Sequence, residues 1–477
     1  MNIEKNLVDL EKLNEDQKEA FEELKDFITD KNDESVYVLK GWAGTGKTFC
    51  ISILVKFVLE VIHQRNKWYK IAVTGPTNKS VRVIKKASSL RNDRVIFQTI
   101  HKLLGLKEKI TNDGKQEFVT EGFYVPMINS ISLLIIDEVS MLNDELFESI
   151  IKHRGRIKII CMGDPAQIPP VGKPDCIPFR EELAERYKIK TLNLKTIMRQ
   201  KKGNPIIESS VEIRKNIGSQ NSPVKPVSNI LENGEGIEFL NISSADVRSN
   251  FTKILEKYFK SEEFENDSEY TKIIAWRNKT VSKMNDLVRR IIYGEESLGS
   301  KILKGEKLIA NSPLVRGKEV ILTTNEEFTV ESYDIKEEKH IYPYLDVEET
   351  FLKYYNSLVI YYDDDIDKHV KHKIKILHED SQKDFDNICG KLKQYAVKNS
   401  GKNKSWIKYF DFLRSFDDVG YAYSITAHKS QGSTYKYSFV FEDDIDLNLD
   451  VIERNRIKYT AYTRASKKLY VVKAIDC

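Results

Sequence analysis

Two short stretches carry residues whose types and spacing do phosphate chemistry. Gly41-Trp42-Ala43-Gly44-Thr45-Gly46-Lys47-Thr48 satisfies GxxxxGK[ST], between a β-branched run from Val36 and an apolar stretch of helical length, Ile51 to Ile62. Gly44 and Gly46 let the backbone turn tightly and aim its amides at phosphate oxygens, at a helix N-terminus whose dipole favours anions. Lys47 is placed to reach the β and γ phosphates, and Thr48 to put its hydroxyl on Mg2+. The second stretch, Ile131 to Ser140, is a near-continuous apolar run of the kind a strand covered on both faces needs, and it contains Asp137-Glu138. Paired with a phosphate loop, Asp137 is a water-mediated Mg2+ ligand and Glu138 the base that orients the attacking water. Together they predict a nucleoside triphosphatase.

Other residues fit around that pair. Gln167, in the segment Gly163 to Val171 with its consecutive prolines Pro169-Pro170, follows an expected strand and is well placed to sense a γ-phosphate. Arg199 and Arg464 are lone arginines near strand units, and arginine neutralises charge on a transferring phosphoryl group. Asn14 caps a helix start, with Gln17 at the third position beyond, as in a capping box. The Gln17 amide either caps or reads the adenine edge of a bound nucleotide.

The elements that must position these groups read as two α/β blocks. The first holds strands at Val36, Ile71, Ile131 and Arg156; the second holds Thr271 to Trp276, Ser438 to Phe441 and Leu469 to Val472. Ile71 to Thr74 runs into Gly75-Pro76-Thr77-Asn78-Lys79, a polar turn at the sheet edge where ligands bind. Thr77, Asn78 and Lys79 suit either a phosphodiester backbone or a solvated helix cap. Lys107 to Thr120 contains Asn112-Asp113-Gly114, a strong turn signal, and predicts an inserted hairpin with Phe118 on its return strand. That hairpin is either decoration or a working projection. Gly203 to about Asp267 is polar, with helical patches at Pro205 to Ile217 and Ser244 to Phe259. From Lys301 to Val419 short β-type pieces at Lys307–Ala310, Glu327–Ser332, Ser357–Tyr362 and Lys373–Leu377 predict a small inserted β-rich domain. A helix-prone segment follows, Phe385 to Val397, and Trp406, Tyr409 and Phe410 have the helical spacing of core packing.

At 477 residues the chain has room for about three domains. Its net charge of +4 is too small to argue for or against a nucleic-acid partner. Five cysteines, none at CxxC spacing, indicate neither a zinc site nor a disulfide framework. Asp363-Asp364-Asp365 and the scattered histidines read as solvated turns and faces. The charged N-terminus and the lack of an uncharged stretch of spanning length predict a cytoplasmic protein with no membrane partner.

In this order the blocks resemble the motifs of superfamily 1 helicases of the RecD/Pif1-like branch, over essentially the whole chain and most specifically in its first 200 and last 55 residues. Gln17 matches the adenine-contacting glutamine and Gly41–Thr48 the first motif. Pro76–Lys79 and Thr99–Leu104, with His101, match the strand-end motifs that hold single-stranded DNA. Asp137-Glu138 matches motif II, Gly163–Gln167 motif III, Arg199 motif IV, Thr426–Gly432 motif V and Tyr459–Ala465 motif VI. The resemblance implies an α/β fold of two RecA-like domains with ATP and Mg2+ in the cleft. It places domain 1A at 1–198 with a hairpin insertion at about 106–126, and domain 2A at 199–300 and 420–477. An SH3-like insertion with a helical tower occupies 301–419. It further implies that Gln431 and Gly432 serve the nucleotide, and that Thr77, Asn78, His101, His428 and Lys429 serve the DNA. Phe118 takes the place of an aromatic residue on a duplex-splitting pin, although the turn sequence differs. ATP-driven 5' to 3' unwinding by a monomer on single-stranded and forked DNA is expected, in replication or recombination, with single-stranded-DNA-binding or replication proteins as partners. A translocase-only or RNA-directed ATPase would share every hydrolysis residue, so the motifs leave that alternative open.

Overall fold

The computed structural model describes residues 10–473 apart from 77–80, 82–84, 86–92, 121–124, 155, 171, 197–203, 221–226, 243–244, 317–318, 346, 364–367 and 402–403. Thr77, Asn78, Lys79 and Arg199 therefore lie outside the described residues.

Six parallel strands form the first sheet, in the order Val95–Phe97, Ile71–Thr74, Leu133–Ile136, Lys158–Gly163, Val36–Gly41, Ile189–Leu194. Alternate residues of these strands feed two separate cores. Leu39, Val73, Ile135 and Met162 pack on one face with Phe21, Leu24 and Phe27 of helix Glu15–Thr29. Val38, Ala72, Leu134 and Cys161 pack on the other with Phe147 and Ile150 of helix Asp144–Ile151. Coverage on both faces is why the strands read as unbroken apolar runs. Helix Lys47–Phe57 continues into a wider turn at Val58–Ile62, so the apolar stretch after the phosphate loop is helical almost throughout.

The second lobe repeats the plan. Parallel strands Ser424–Thr426, Thr271–Ala275, Tyr435–Phe441, Ala465–Lys473 and Gly236–Asn241 lie side by side, and Asn229–Ile230 adds an antiparallel edge. Gly236–Asn241 is a sheet strand inside a region whose composition indicated only helical patches. Helix Asn278–Tyr293 starts where Asp444 accepts the backbone N–H groups of Trp276 and Arg277, both at 2.8 Å.

Between these lobe-two elements lies a five-strand antiparallel sheet, ordered Lys368–Leu377, Val347–Asp363, Glu327–Tyr342, Lys307–Ala310, Val419–Tyr421. The short pieces expected at 327–332 and 357–362 are the inner ends of strands 16 and 17 residues long. The outer half of the first of these carries the charged run Lys336, Glu337, Glu338 and Lys339, exposed or nearly so, in which no apolar alternation betrays a strand. Helices Gln382–Lys398 and Ser405–Leu413 pack on this ribbon, with Ile388, Leu392 and Phe412 against Leu352 and Tyr354. The hairpin expected in the first lobe is present, as Leu106–Ile110 paired with Gln116–Thr120.

Candidate functional site: a phosphate loop facing a second lobe

The phosphate loop leaves its strand at Gly41, and Gly44 (φ 84°) and Gly46 (φ 77°) take the left-handed conformation that glycine alone adopts without penalty. A side chain at Gly46 would also meet Gln17 Nε2 at 2.5 Å. That amide donates to Thr45 O at 2.9 Å, while Gln17 Oε1 accepts Asn14 N–H at 3.1 Å. Gln17 thus completes the expected capping box and fastens the loop to the first helix. Lys47 Nζ donates to Gly41 O at 2.8 Å and Trp42 O at 3.1 Å, folding back along the loop it serves, and Thr48 follows in the first turn of helix Lys47–Phe57.

Asp137 and Glu138 follow strand Leu133–Ile136, which lies one strand removed from the phosphate-loop strand, across Lys158–Gly163. Asp137 is buried, and burial together with the charge of Glu138 pushes its carboxyl up, with Lys47 acting in the opposite sense. A buried carboxylate beside a second one is electrostatically unsatisfied, and a divalent cation satisfies it. Asp137 with the Thr48 hydroxyl makes a hard-oxygen donor set suited to Mg2+, which keeps few protein ligands and takes the rest from water and phosphate. Glu138 has φ 50° and ψ 40°. That left-handed backbone costs a non-glycine residue about 1–3 kcal/mol, and such strain gathers at sites that need a side chain aimed.

Gln167 is buried, with its Oε1 unpartnered, in the turn after strand Lys158–Gly163. Its neighbours Ala166 and Ile168 pack into the second lobe's core beside Tyr459 and Ala461. Gln431 Nε2 donates to Ile168 O at 2.9 Å, so motif V touches motif III across the lobes. Gly432 follows with φ 72°. Arg464 is buried, and three of its donors are committed, to Thr460 O (2.9 Å), Ser433 O (3.0 Å) and Thr463 Oγ1 (3.0 Å). Burial lowers its pKa, and Glu138 and Asp164 of the first lobe are among the groups that raise it again. The hydrolytic residues of one lobe and the arginine of the other therefore share one electrostatic neighbourhood.

The residues expected on DNA form two further groups. Pro76 is half-buried at the end of its strand, and His101 lies with its ring 4.9 Å from that of Phe118, itself 56% exposed. In the second lobe, His428 precedes Lys429, which borders a cavity of about 210 Å³ lined also by Asn278, Ser282, Asn311 and Thr426. Burial lowers the pKa of His428 and of Lys429, and Lys429 Nζ donates to Asn311 Oδ1 at 2.9 Å.

Asp164, Arg214 and Tyr459 were not singled out from sequence. Tyr459 OH donates to Asp164 Oδ2 at 2.6 Å, and Arg214 pairs with the same carboxylate. Asp164 and Tyr459 lay within matched motifs; Arg214, a single arginine on an amphipathic helix, gave no signal.

Fold and site define a two-lobed phosphate-loop nucleoside triphosphatase whose second lobe faces the phosphate loop. Residues 12–225 match the model of an AAA domain, and residues 421–472 that of a UvrD-like helicase C-terminal domain. The chain is 27% identical over 514 residues to an uncharacterized protein of Acanthamoeba polyphaga mimivirus, covering 94% of this chain and 97% of the other. It is 25% identical over 476 residues to the ATP-dependent DNA helicase dda of Enterobacteria phage T4, covering 96% and 99%. Among solved structures, the Pif1 helicase from Candida albicans superposes with a TM-score of 0.48 at 15% identity, over 96% of this chain and 94% of that one. In its domain matches and its likeness to the phage helicase, the chain is similar to superfamily 1 helicases of the RecD/Pif1-like branch.

Proposed function

We propose that this chain is an ATP-dependent DNA helicase that moves 5' to 3' along single-stranded DNA and splits the duplex at its first-lobe hairpin. The observation that supports it most is the contact of the two lobes at the site, where Gln431 donates to Ile168 O at 2.9 Å and Tyr459 OH to Asp164 Oδ2 at 2.6 Å, with Glu138 on one lobe and Arg464 on the other. Hydrolysis residues divided in this way work only when the lobes are together, which couples turnover to lobe movement.

In this assignment the loop amides and Lys47 hold the phosphates of ATP, and Gln17 lies beside the adenine. Thr48, and Asp137 through water, would hold Mg2+, which would neutralise charge on the phosphates. Glu138 orients the attacking water by accepting its proton. Arg464, with Arg199, stabilises charge on the transferring group; its committed donors fix its direction and leave two of five N–H groups for phosphate. Gln167 and Gln431 pass the state of the cleft to the DNA track. Pro76, Thr77, Asn78, Lys79 and His101 of one lobe and His428 and Lys429 of the other meet the strand mostly at its phosphates, giving sequence-tolerant, salt-sensitive binding.

The hairpin role is supported by its bracing. Gly401 N–H and Ser400 Oγ of the helical pair both donate to Asn112 O, at 2.9 and 3.3 Å, and Arg414 pairs with Glu108 at 2.7 Å. A projection used to part strands has to resist force, and these contacts tie it to the inserted domain. The activity fits a monomer in the cytoplasm; no described helix is long and apolar enough to cross a membrane. Forks with a single 5' or a single 3' tail, assayed beside DNA-stimulated ATP hydrolysis, test the assignment. Unwinding of the 5'-tailed fork alone is expected. DNA-stimulated hydrolysis without strand separation on either fork would show a translocase instead.

A further inference from the structure

Arg214 lies outside the residues assigned to nucleotide, yet it borders the phosphate loop. It sits on helix Pro205–Lys215, anchored in the second lobe by Ile206 and Ile213. Its guanidinium stands 5.0 Å from the Trp42 ring and 5.7 Å from the Tyr459 ring, and it pairs with Asp164, which is fully buried. The Tyr459 hydroxyl donates to that carboxylate at 2.6 Å and accepts the Ala43 N–H at 3.2 Å. One buried carboxylate of the first lobe thus collects two donors from the second, and one of those donors is bonded to an amide of the phosphate loop. Parting the lobes strips Asp164 of both and leaves it the Ala166 N–H of its own turn and water, so only the closed arrangement partners Asp164, Arg214 and Tyr459 together. Five residues beyond Tyr459 comes Arg464.

We propose that Arg214 is a positioning residue for hydrolysis: with Tyr459 it grips Asp164 and so holds Arg464 in register with the phosphate loop. It touches neither phosphate nor water itself. A change at Arg214 therefore alters how often the lobes reach the hydrolytic arrangement, and leaves the ATP contacts of the first lobe in place.

The proposal rests on the ATPase assignment, and steady-state hydrolysis by the intact chain, with and without single-stranded DNA, tests it. In Arg214→Gln, kcat is expected to fall about tenfold while KM for ATP stays within about twofold. Asp164→Asn combined with Arg214→Gln is expected to be no slower than Asp164→Asn alone, since the two act as a unit. Arg214→Lys, which keeps the charge, should recover part of the loss. Independent, multiplicative losses overturn the proposal. So does a kcat for Arg214→Gln within about twofold of the parent, or a rise in KM at unchanged kcat. If Arg214→Gln does not fold, Tyr459→Phe removes only the hydroxyl, and parental kcat in that variant also overturns it. A parent that hydrolyses no ATP overturns both this proposal and the ATPase assignment; a hydrolysing parent with an indifferent Arg214→Gln overturns this one alone.

Discussion

The ring of His101 lies 4.9 Å from that of Phe118, so a strand-end residue of the first lobe supports the exposed aromatic side chain of the hairpin. Burial lowers the His101 pKa, which favours the neutral ring at physiological pH. A neutral imidazole stacks on an aromatic face or a base without charge repulsion along a basic track. Phe118→Ala is accordingly expected to cut fork unwinding several-fold while DNA-stimulated ATP hydrolysis stays within about twofold of the parent, as loss of one stacking surface worth about 1–3 kcal/mol allows. Equal loss of both activities, measured on the same fork, would count against a strand-parting role.

Gly114 at the hairpin turn faces the indole of Trp406, and a side chain there would approach it to 2.5 Å, at a φ of +85°. Gly114→Val should push the hairpin off its brace. The expected outcome is slower unwinding, greatest on GC-rich forks where the strands resist most, with ATP turnover nearly unchanged. Parental unwinding rates on such forks would show the contact to be incidental.

Glu138→Gln keeps shape and hydrogen bonding but removes the acceptor of the water's proton. ATP hydrolysis should fall by about 10²–10⁴, the usual worth of a general base, with ATP and DNA binding retained. Nucleotide binding followed by fluorescence anisotropy, beside a single-turnover assay, separates the two. Turnover near the parent's would remove Glu138 from its role.

Arg289 and Glu306 form a buried pair joining helix Asn278–Tyr293 to the inserted domain, with the Arg289 guanidinium 4.3 Å from the Tyr421 ring. Glu306→Gln leaves that cation uncompensated and should destabilise by about 3–5 kcal/mol, read as a lower urea midpoint. An unchanged midpoint would mean that the pair is solvated in solution.

The phosphate loop and Asp137-Glu138 were legible in the sequence because their chemistry is local: a few consecutive residues fix both geometry and charge. The two sheets were legible for a related reason, since strands covered on both faces leave unbroken apolar runs. Gly236–Asn241 escaped notice as a short strand after the turn-rich Asn233-Gly234-Glu235, and the ribbon's outer half because its charged run from Lys336 to Lys339 shows no apolar alternation. Arg214 escaped for a deeper reason. Its partners Asp164, Tyr459 and Trp42 are 50, 245 and 172 positions away, and only folding brings them together.

The ribbon has one more consequence. Each residue of an antiparallel strand advances about 3.4 Å, so the 16 residues of Glu327–Tyr342 reach about 54 Å, and the helical pair that meets the hairpin is mounted along that reach. The span between the second lobe and the hairpin is thus written in strand length, as on a ruler. Deleting two residues from each strand would set the brace about 7 Å short of the hairpin and leave its turn unsupported.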